Sequence, residues 1–187
     1  MIRNLPIILA SKSPRRQELL KLMGLNFKVE LKDVDESYPE GLLPAEIAIY
    51  ISEKKAKAFT ADHEIIITAD TIVALDNEIL GKPSNREHAQ EMLAKLSGRK
   101  HQVFTGVTIA KGNKIQSFYD CTTVYCKAVS SEDINFYIDN YKPFDKAGSY
   151  GVQDWWGIVV VERIEGSYTN VMGLPTEKLY NELLKFI

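Results

Sequence analysis

The sequence has neither a large net charge nor a long hydrophobic run. Its 187 residues include 23 Lys and Arg against 25 Asp and Glu, a formal net charge of -2 at pH 7. General nucleic-acid-binding proteins usually carry a basic excess, so we predict no nucleic-acid partner. No segment approaches the roughly 18 consecutive apolar residues of a membrane span, and no secretory signal is evident near the N-terminus. We therefore expect a cytoplasmic protein with no membrane partner.

Cysteine is scarce as well. The two cysteines, Cys121 and Cys126, are five residues apart in a segment with the pattern of a β-strand. An odd spacing in a strand places them on opposite faces, which is wrong for a disulfide, and two cysteines are too few for a metal site. We interpret both as packing residues in a reducing compartment.

The motifs of several large enzyme classes are also missing. There is no Walker A loop, no GxGxxG fingerprint and no GxSxG nucleophile elbow, and the three histidines show no HExxH spacing. These absences disfavour the familiar ATPases, dehydrogenases and α/β-hydrolases.

What is present is an alternation of strand-like and helix-like segments, without repeats or linkers, which predicts a single α/β domain over residues 1–187. Ser13, Pro14 and Gly24 have the residue types of the N-cap, the first residue and the end of a first helix. A capping box at Ser84 and Glu87 predicts the start of another helix. We predict further helices near 44–60, 131–140 and 175–186, and strands near 7–10, 65–69, 72–75, 78–80 and 157–163. Two long β-segments joined at Gly112-Asn113 favour a mixed sheet over a purely parallel one.

The segment Leu9–Arg16 places two cations in an unusual position. Arg15 and Arg16 occupy the first turn of the predicted helix, directly after a strand and a serine-rich corner. The partial positive charge of a helix N-terminus makes cations there unfavourable unless an anion joins them, and phosphate is a natural candidate. The alternative is that both arginines pair with surface carboxylates.

Asp70 is the most informative carboxylate. It follows a buried apolar run, and we expect it at the end of a strand, where open α/β sheets place their ligands. A carboxylate in this position can ligate a divalent metal or accept a proton from water. The alternative is a carboxylate that backbone N–H groups satisfy in a turn between strands.

Other residues suggest a ligand less specifically. Lys55 falls on the apolar stripe of its predicted helix, so its ammonium is expected to point toward the protein body, although it can also reach past the core to water. Lys82 follows the hairpin between two residues that restrict the backbone, and by itself it is more typical of a solvated turn lysine. Asp35-Glu36 is a pair of carboxylates, or simply a solvated acidic turn. Trp155-Trp156 can form a stacking platform for a base, or else core or dimer interface.

Taken together, these stretches resemble the Maf family of nucleoside triphosphate pyrophosphatases. Leu9–Arg16 is similar to the family's opening LASxSPRR signature. Further matching segments follow in the family's order along nearly the whole chain: 35–36, 53–58, 69–73, 80–83, 97–106, 145–153 and 173–175. Several rare motifs in one order make a chance match implausible.

The resemblance implies an elongated mixed β-sheet with flanking helices, in two lobes around a central cleft as in inosine triphosphate pyrophosphatase. It also implies a homodimer that hydrolyses a nucleoside triphosphate between the α and β phosphates and requires a divalent cation, Mg²⁺ or Mn²⁺. By motif position, Asp70 is the proton acceptor, and Glu36 and Asp70 hold the metal. The residues implied for substrate binding are Ser11, Ser13, Arg15, Arg16, Lys55 and Lys82.

Within the family, the chain is similar to the subgroup that acts on dTTP and UTP. The Asp70-Thr71 pair and the segment 150–153, which ends at Gln153, carry this similarity. The subgroup resemblance assigns substrate specificity to Arg15, Thr71 and Gln153. Trp155-Trp156 departs from the small residues that related sequences often have there, which affects the expected shape of the base pocket. Two alternatives stay open: a nucleotide-binding inhibitor of septum formation with incidental hydrolysis, and a pyrophosphatase for 7-methyl-GTP or another modified nucleotide.

Overall fold

The computed structural model describes residues 2–60 and 63–186, which form seven strands and seven α-helices, together with short 3₁₀ turns. The strands are β1 (Ile7–Leu9), β2 (Phe27–Val29), β3 (Ile65–Leu75), β4 (Glu78–Leu80), β5 (Lys100–Lys111), β6 (Lys114–Cys126) and β7 (Val161–Glu165). The helices are α1 (Pro14–Leu22), α2 (Pro44–Lys57), α3 (Arg86–Leu96), α4 (Ser131–Tyr141), α5 (Trp155–Val159), α6 (Tyr168–Val171) and α7 (Thr176–Leu184). Among the described residues, no helix is both long and apolar enough to cross a lipid bilayer.

The strands form one mixed sheet, as the sequence predicts. Their order is β2-β1-β3-β5-β6-β7, and β4 pairs with β3. β1 is parallel to both β2 and β3, whereas the β3–β4 and β6–β7 pairs are antiparallel. The α/β fold with a mixed sheet and flanking helices is therefore confirmed.

The chain divides into two compact units. Unit 1 contains Met1–Thr71, Thr105–Asp120 and Gly173–Ile187, and unit 2 contains Ile72–Phe104 and Cys121–Met172. In unit 1, α2 packs on the sheet through an apolar cluster that includes Ala56, Ile8 and Ile66. Unit 2 has a core of its own, in which Trp156 and Tyr137 are fully buried.

β3 is one continuous strand, and the prediction of two strands separated by Asp70-Thr71 was wrong. Asp70 and Thr71 are half-buried between two fully buried stretches of the same strand. The first stretch pairs with β1 at 65–67, and the last pairs with β4 at 73–75. The two polar residues therefore lie between these two pairing regions and do not mark a turn.

The segment that begins at Trp155 is also different from its prediction. We expected a strand over 157–163, but Trp155–Val159 is helical and β7 begins at Val161. Trp156 and Val160, four residues apart, are completely buried, whereas Ile158 is 76% exposed. This is the spacing of a helix face, which a run of β-branched residues concealed in the sequence.

Two smaller expectations have mixed outcomes. The N-cap of α3 is Asn85, whose side chain accepts from the backbone N–H of His88, so the capping box predicted at Ser84 was wrong. Cys126 is buried, as expected of a packing residue, whereas Cys121 is only half-buried. Burial raises the pKa of the Cys126 thiol to about 11.

Candidate active site

The site is organised around the ammonium group of Lys55. Pro44 occupies the first turn of α2, and Glu46 Oε2 accepts from the backbone N–H of Leu43, so the helix start is well defined. Ile51 is buried, and Lys55 follows it one turn later on the same side of α2. Its Nζ lies 2.9 Å from Asp70 Oδ1 and 2.8 Å from Glu36 Oε1. Lys55 thus points inward, as predicted, and contacts both carboxylates named for the metal.

Asp70 lies beyond the carboxyl end of a neighbouring strand. β1 pairs in parallel with β3 only as far as Leu9 and Ile67. Asp70 is three residues further along β3, and its side chain is 15% exposed. Although β3 itself continues, this is the kind of sheet position where open α/β proteins bind ligands.

Glu36 is brought to Lys55 by a loop that is tied to α2. Asp35 accepts from Lys54 Nζ at 2.9 Å, so two successive loop residues pair with two successive helix residues. Hydrogen bonds from Ser37 and from Lys54 lower the pKa of Asp35 well below its usual value. The sequence left Asp35-Glu36 open as a solvated turn, and the structure gives both carboxylates lysine partners.

The two carboxylates have suitable donor atoms for a divalent cation. Asp70 Oδ1 and Glu36 Oε1 both contact Lys55 Nζ, so they converge on one point. Within the described residues, no group of three or more His, Cys, Asp or Glu could hold a metal by itself. Mg²⁺ is commonly bound by one or two carboxylates, with the remaining positions filled by phosphate oxygens and water. The pair therefore fits a hard cation that arrives with a phosphorylated substrate.

Arg16 forms a dense set of hydrogen bonds within the protein. Its Nε donates to the carbonyl of Gly173 at 2.8 Å, and Nη1 donates to the carbonyl of Ala69 at 2.8 Å. Nη1 also lies 3.3 Å from Ser11 Oγ, and Nη2 lies 3.0 Å from Thr71 Oγ1. Burial lowers the pKa of Arg16, and the nearby Asp70 carboxylate partly opposes this effect. These hydrogen bonds go to carbonyls and hydroxyls, not to the surface carboxylates of the alternative hypothesis.

The other predicted residues of α1 lie at its first turn. Ser13 is the N-cap in extended conformation, and its side chain makes no capping hydrogen bond. The first turn of α1 contains no acidic residue. Ser13 and Arg15 are both half-buried. The N-terminus of α1 thus has the cationic composition that the sequence indicated for an anion site.

Thr71 is held from two sides. Besides its contact with Arg16, its Oγ1 lies 3.0 Å from Thr105 Oγ1, and Thr105 is completely buried. Sequence reasoning assigned no role to Thr105. The available signal was its spacing: Thr105 lies on the same face of β5 as Val103 and Val107, which predicts an inward-facing hydroxyl.

Lys82 and Gln153 belong to unit 2, and both are exposed. Lys82 lines a pocket between β4 and α3, together with His88, Glu91 and Lys95. Gln153 follows a buried segment that is tied to the end of β4 by a hydrogen bond from the N–H of Gly148 to the carbonyl of Gly81, at 3.1 Å. Their roles in binding stay predictions.

The tryptophan pair is divided between two environments. Trp156 is completely buried in the core of unit 2, so it is not a stacking platform for a base. Trp155 is half-buried, and its ring packs edge-on against Phe136 at a centroid distance of 5.4 Å.

Comparison with known proteins identifies the family. The family model described as Maf-like protein matches residues 6–186. The chain belongs to the Maf-like family. This confirms the family resemblance that the motifs carry.

Maf-like relatives are similar to this chain over almost its whole length. It is 52% identical over 183 residues to a protein of Bacteroides thetaiotaomicron named dTTP/UTP pyrophosphatase, covering 96% of this chain and 95% of that protein. It is 50% identical over 186 residues to a protein of the same name from Cytophaga hutchinsonii, covering 98% of this chain and 85% of the relative.

Among solved structures, the chain is similar in fold to a HAM1 protein from Coxiella burnetii. The TM-score is 0.53 with 17% sequence identity, and the alignment covers 97% of this chain and 99% of that one. At this identity the similarity concerns the fold alone.

Proposed function

We propose that this Maf-like protein is a nucleoside triphosphate pyrophosphatase that hydrolyses dTTP and UTP to the nucleoside monophosphate and pyrophosphate. The observation that carries the proposal is the contact of Lys55 Nζ with both Asp70 and Glu36. This contact brings together a cation that can bind phosphate oxygens and two carboxylates, which can act as a general base and as metal ligands. The names of the relatives support the reaction and the nucleotides.

Asp70 is the proposed general base. The carboxylate accepts a proton from the attacking water as the water oxygen bonds to phosphorus and the bond to the α–β bridging oxygen breaks. The bridging oxygen leaves with pyrophosphate and takes the bonding electron pair. Lys55 positions Asp70 through the 2.9 Å contact and supplies positive charge beside the phosphates. Arg15 and Lys82 are proposed to bind further phosphate oxygens.

Glu36 and Asp70 are the proposed protein ligands of a divalent cation, Mg²⁺ or Mn²⁺. A bound cation of this kind neutralises phosphate charge and makes water more acidic. Lys55 contacts one oxygen of each carboxylate, so a cation held by Glu36 and Asp70 would lie close to its ammonium group.

Base selection is proposed to involve Arg15, Thr71 and Gln153. The Thr71 hydroxyl already contacts Arg16 and Thr105. Its proposed role in selection is therefore to fix the shape of the site, and not to form a hydrogen bond with the base. Gln153 is exposed, and its amide can both donate to and accept from the edge of a pyrimidine.

The formal net charge of -2 favours neither nucleic acid nor an anionic membrane surface as a partner.

We further propose a cytoplasmic homodimer, on the strength of the family resemblance. Light scattering after size-exclusion chromatography measures the mass directly, and a monomer at all concentrations would contradict the dimer.

The test is product analysis with the purified full chain. dTTP, UTP, CTP and 7-methyl-GTP are each incubated with Mg²⁺, with Mn²⁺ and with chelator, and the products are separated chromatographically. We expect nucleoside monophosphate and pyrophosphate in equal amounts, with the fastest turnover for dTTP and UTP.

Three outcomes would contradict the proposal. Release of inorganic phosphate and a nucleoside diphosphate would give the wrong cleavage position. Faster hydrolysis of 7-methyl-GTP would give the wrong subgroup. Nucleotide binding without turnover would favour the binding protein of the septum-inhibition alternative.

A further inference from the structure

A row of buried hydroxyl groups joins α2 to three strands of the sheet. Thr68 Oγ1 on β3 donates to the carbonyl of Ser52 at 2.6 Å, and Ser52 Oγ lies 2.9 Å from Thr108 Oγ1 on β5. Thr108 Oγ1 lies 3.1 Å from Ser117 Oγ on β6, which donates to Glu53 at 2.8 Å. Ser52, Thr68 and Thr108 are completely buried. Helix and sheet are therefore connected by specific polar contacts as well as by apolar packing.

The Thr68–Ser52 contact lies directly beside the Asp70–Lys55 contact. Thr68 and Asp70 are two residues apart and share one face of β3, whereas Ser52 and Lys55 are three apart and share one face of α2. These steps advance about 6.6 Å along a strand and about 4.5 Å along a helix. The two contacts are therefore successive links between the same two elements.

The carbonyl of Ser52 does not need the Thr68 hydroxyl as its partner. Ser52 lies inside α2, where the helix supplies a backbone N–H four residues later, at Ala56. The bond from Thr68 is thus a second one to the same oxygen. This second bond restricts both the rotation of α2 about its axis and its position along β3. Gly106 on β5 lets α2 pack closely on the sheet, since a Cβ there would lie 2.3 Å from the backbone of Ala48.

We propose that Thr68 is a positioning residue, whose hydroxyl sets α2 on β3 so that Lys55 reaches Asp70 and Glu36. The inference rests on the proposed function, because it assigns Thr68 to the same reaction. A helix that turned or slid on β3 would change the position from which Lys55 makes its 2.9 Å contact with Asp70. Small displacements of catalytic groups are costly in rate.

The experiment compares hydroxyl deletion with hydroxyl retention in the full chain. Thr68→Val should lower kcat/KM for dTTP roughly 3- to 30-fold, mainly through kcat, while the protein stays folded. Thr68→Ser, which keeps the hydroxyl, should restore activity to within about twofold of wild type. Thr122→Val is the matched control, since it deletes a buried strand hydroxyl that contacts Ser167 and Asn170 in unit 2. It should leave kcat nearly unchanged.

A double-mutant cycle separates positioning from a general structural effect. In a Lys55→Met background, Thr68→Val should change the residual activity less than twofold, because the group that it positions is already gone. An equal loss in both backgrounds, or an unaffected Thr68→Val enzyme, would overturn the proposal.

The same cycle can be measured by urea unfolding, which needs no enzyme activity. The shift in midpoint of the double variant should differ from the sum of the single shifts, and additive shifts would overturn the positioning role. A wild-type protein that does not hydrolyse dTTP would instead overturn the proposed function, and the unfolding cycle would still decide the role of Thr68.

Discussion

Arg16 Nη2 donates a hydrogen bond to Thr71 Oγ1 at 3.0 Å, which joins two residues that the sequence assigned to separate tasks. Arg16 was predicted to bind phosphate and Thr71 to select the base. The same guanidinium also donates from Nε to the carbonyl of Gly173 and from Nη1 to the carbonyl of Ala69. The guanidinium therefore contributes to the architecture of the site before any substrate binds.

Arg16→Ala is expected to destabilise the free protein. The substitution removes several hydrogen bonds to partly buried carbonyl and hydroxyl groups and should lower the free energy of unfolding by about 1–3 kcal/mol. Removing a cation from the first turn also ends an unfavourable interaction with the helix dipole. If this effect outweighed the lost hydrogen bonds, the free energy of unfolding would rise instead. Urea unfolding without nucleotide measures the difference.

Arg16→Lys is the matched variant for this prediction. It keeps the positive charge but lacks the planar fork that reaches several acceptors at once, so it should restore little of the lost stability. A lysine variant as stable as wild type, or an alanine variant more stable than wild type, would show that Arg16 does not act as a structural fork.

The stability of unit 2 is expected to depend on the ionisation of His101. The ring is 2% exposed, its Nε2 lies 2.7 Å from Tyr150 Oη, and burial lowers the pKa of His101 from 6.5 to about 4. Between these two values the unfolded chain binds more protons than the folded chain. Stability is therefore complete above pH 6.5 and is lost as the pH falls toward 4, by an amount on the order of 3 kcal/mol.

Urea unfolding of wild type and His101→Phe across this pH range checks the prediction. The phenylalanine variant keeps a buried ring but cannot titrate, so the difference between the two curves isolates His101 from the carboxylates that titrate at lower pH. Parallel curves, with the same pH dependence in both proteins, would exclude His101 as the source.

Gln153→Ala is expected to reduce discrimination among pyrimidine nucleotides. A polar group matched to one base edge is left unpaired when the wrong base enters, which can cost about 1–3 kcal/mol, or roughly 5- to 150-fold in kcat/KM. The variant should therefore narrow the spread among dTTP, UTP and CTP and leave the cleavage position unchanged. Gln102→Ala, at another exposed glutamine of unit 2, is the control. An unchanged preference in Gln153→Ala would remove Gln153 from base selection.

The sequence predicted those elements whose signals are local. The predictions of the N-cap and first residue of α1, of Gly24 at its end and of the two long strands β5 and β6 depend on neighbouring residues and were correct. Gly24 has the positive φ that a residue after the end of a helix often adopts. Residues 157–159 were predicted as part of a strand, because their apolar run shows no helical period, but they belong to the helix Trp155–Val159. The helix allows Trp156 to be buried in the core of unit 2.

For the site, the sequence indicated residue types but not their connections. The position of Lys55 on the apolar stripe of α2 predicted an inward ammonium, and the structure gives it Asp70 as a partner. The contacts of Arg16 with Gly173 and of Ser52 with Thr108 join residues far apart in the chain. No local pattern encodes such pairs, since they depend on the completed packing of helix against sheet.

Turnover of dTTP by Asp70→Asn tests the central claim most directly. Asparagine keeps the size of the side chain and its contact with Lys55 but has almost no basicity, so pyrophosphate release should fall roughly 10²- to 10⁴-fold while the protein stays folded. Asp76→Asn is the control, because Asp76 lies in the turn after the same strand and pairs with Arg99 at the surface. It should keep wild-type turnover. Near-normal pyrophosphate release by Asp70→Asn would contradict the account.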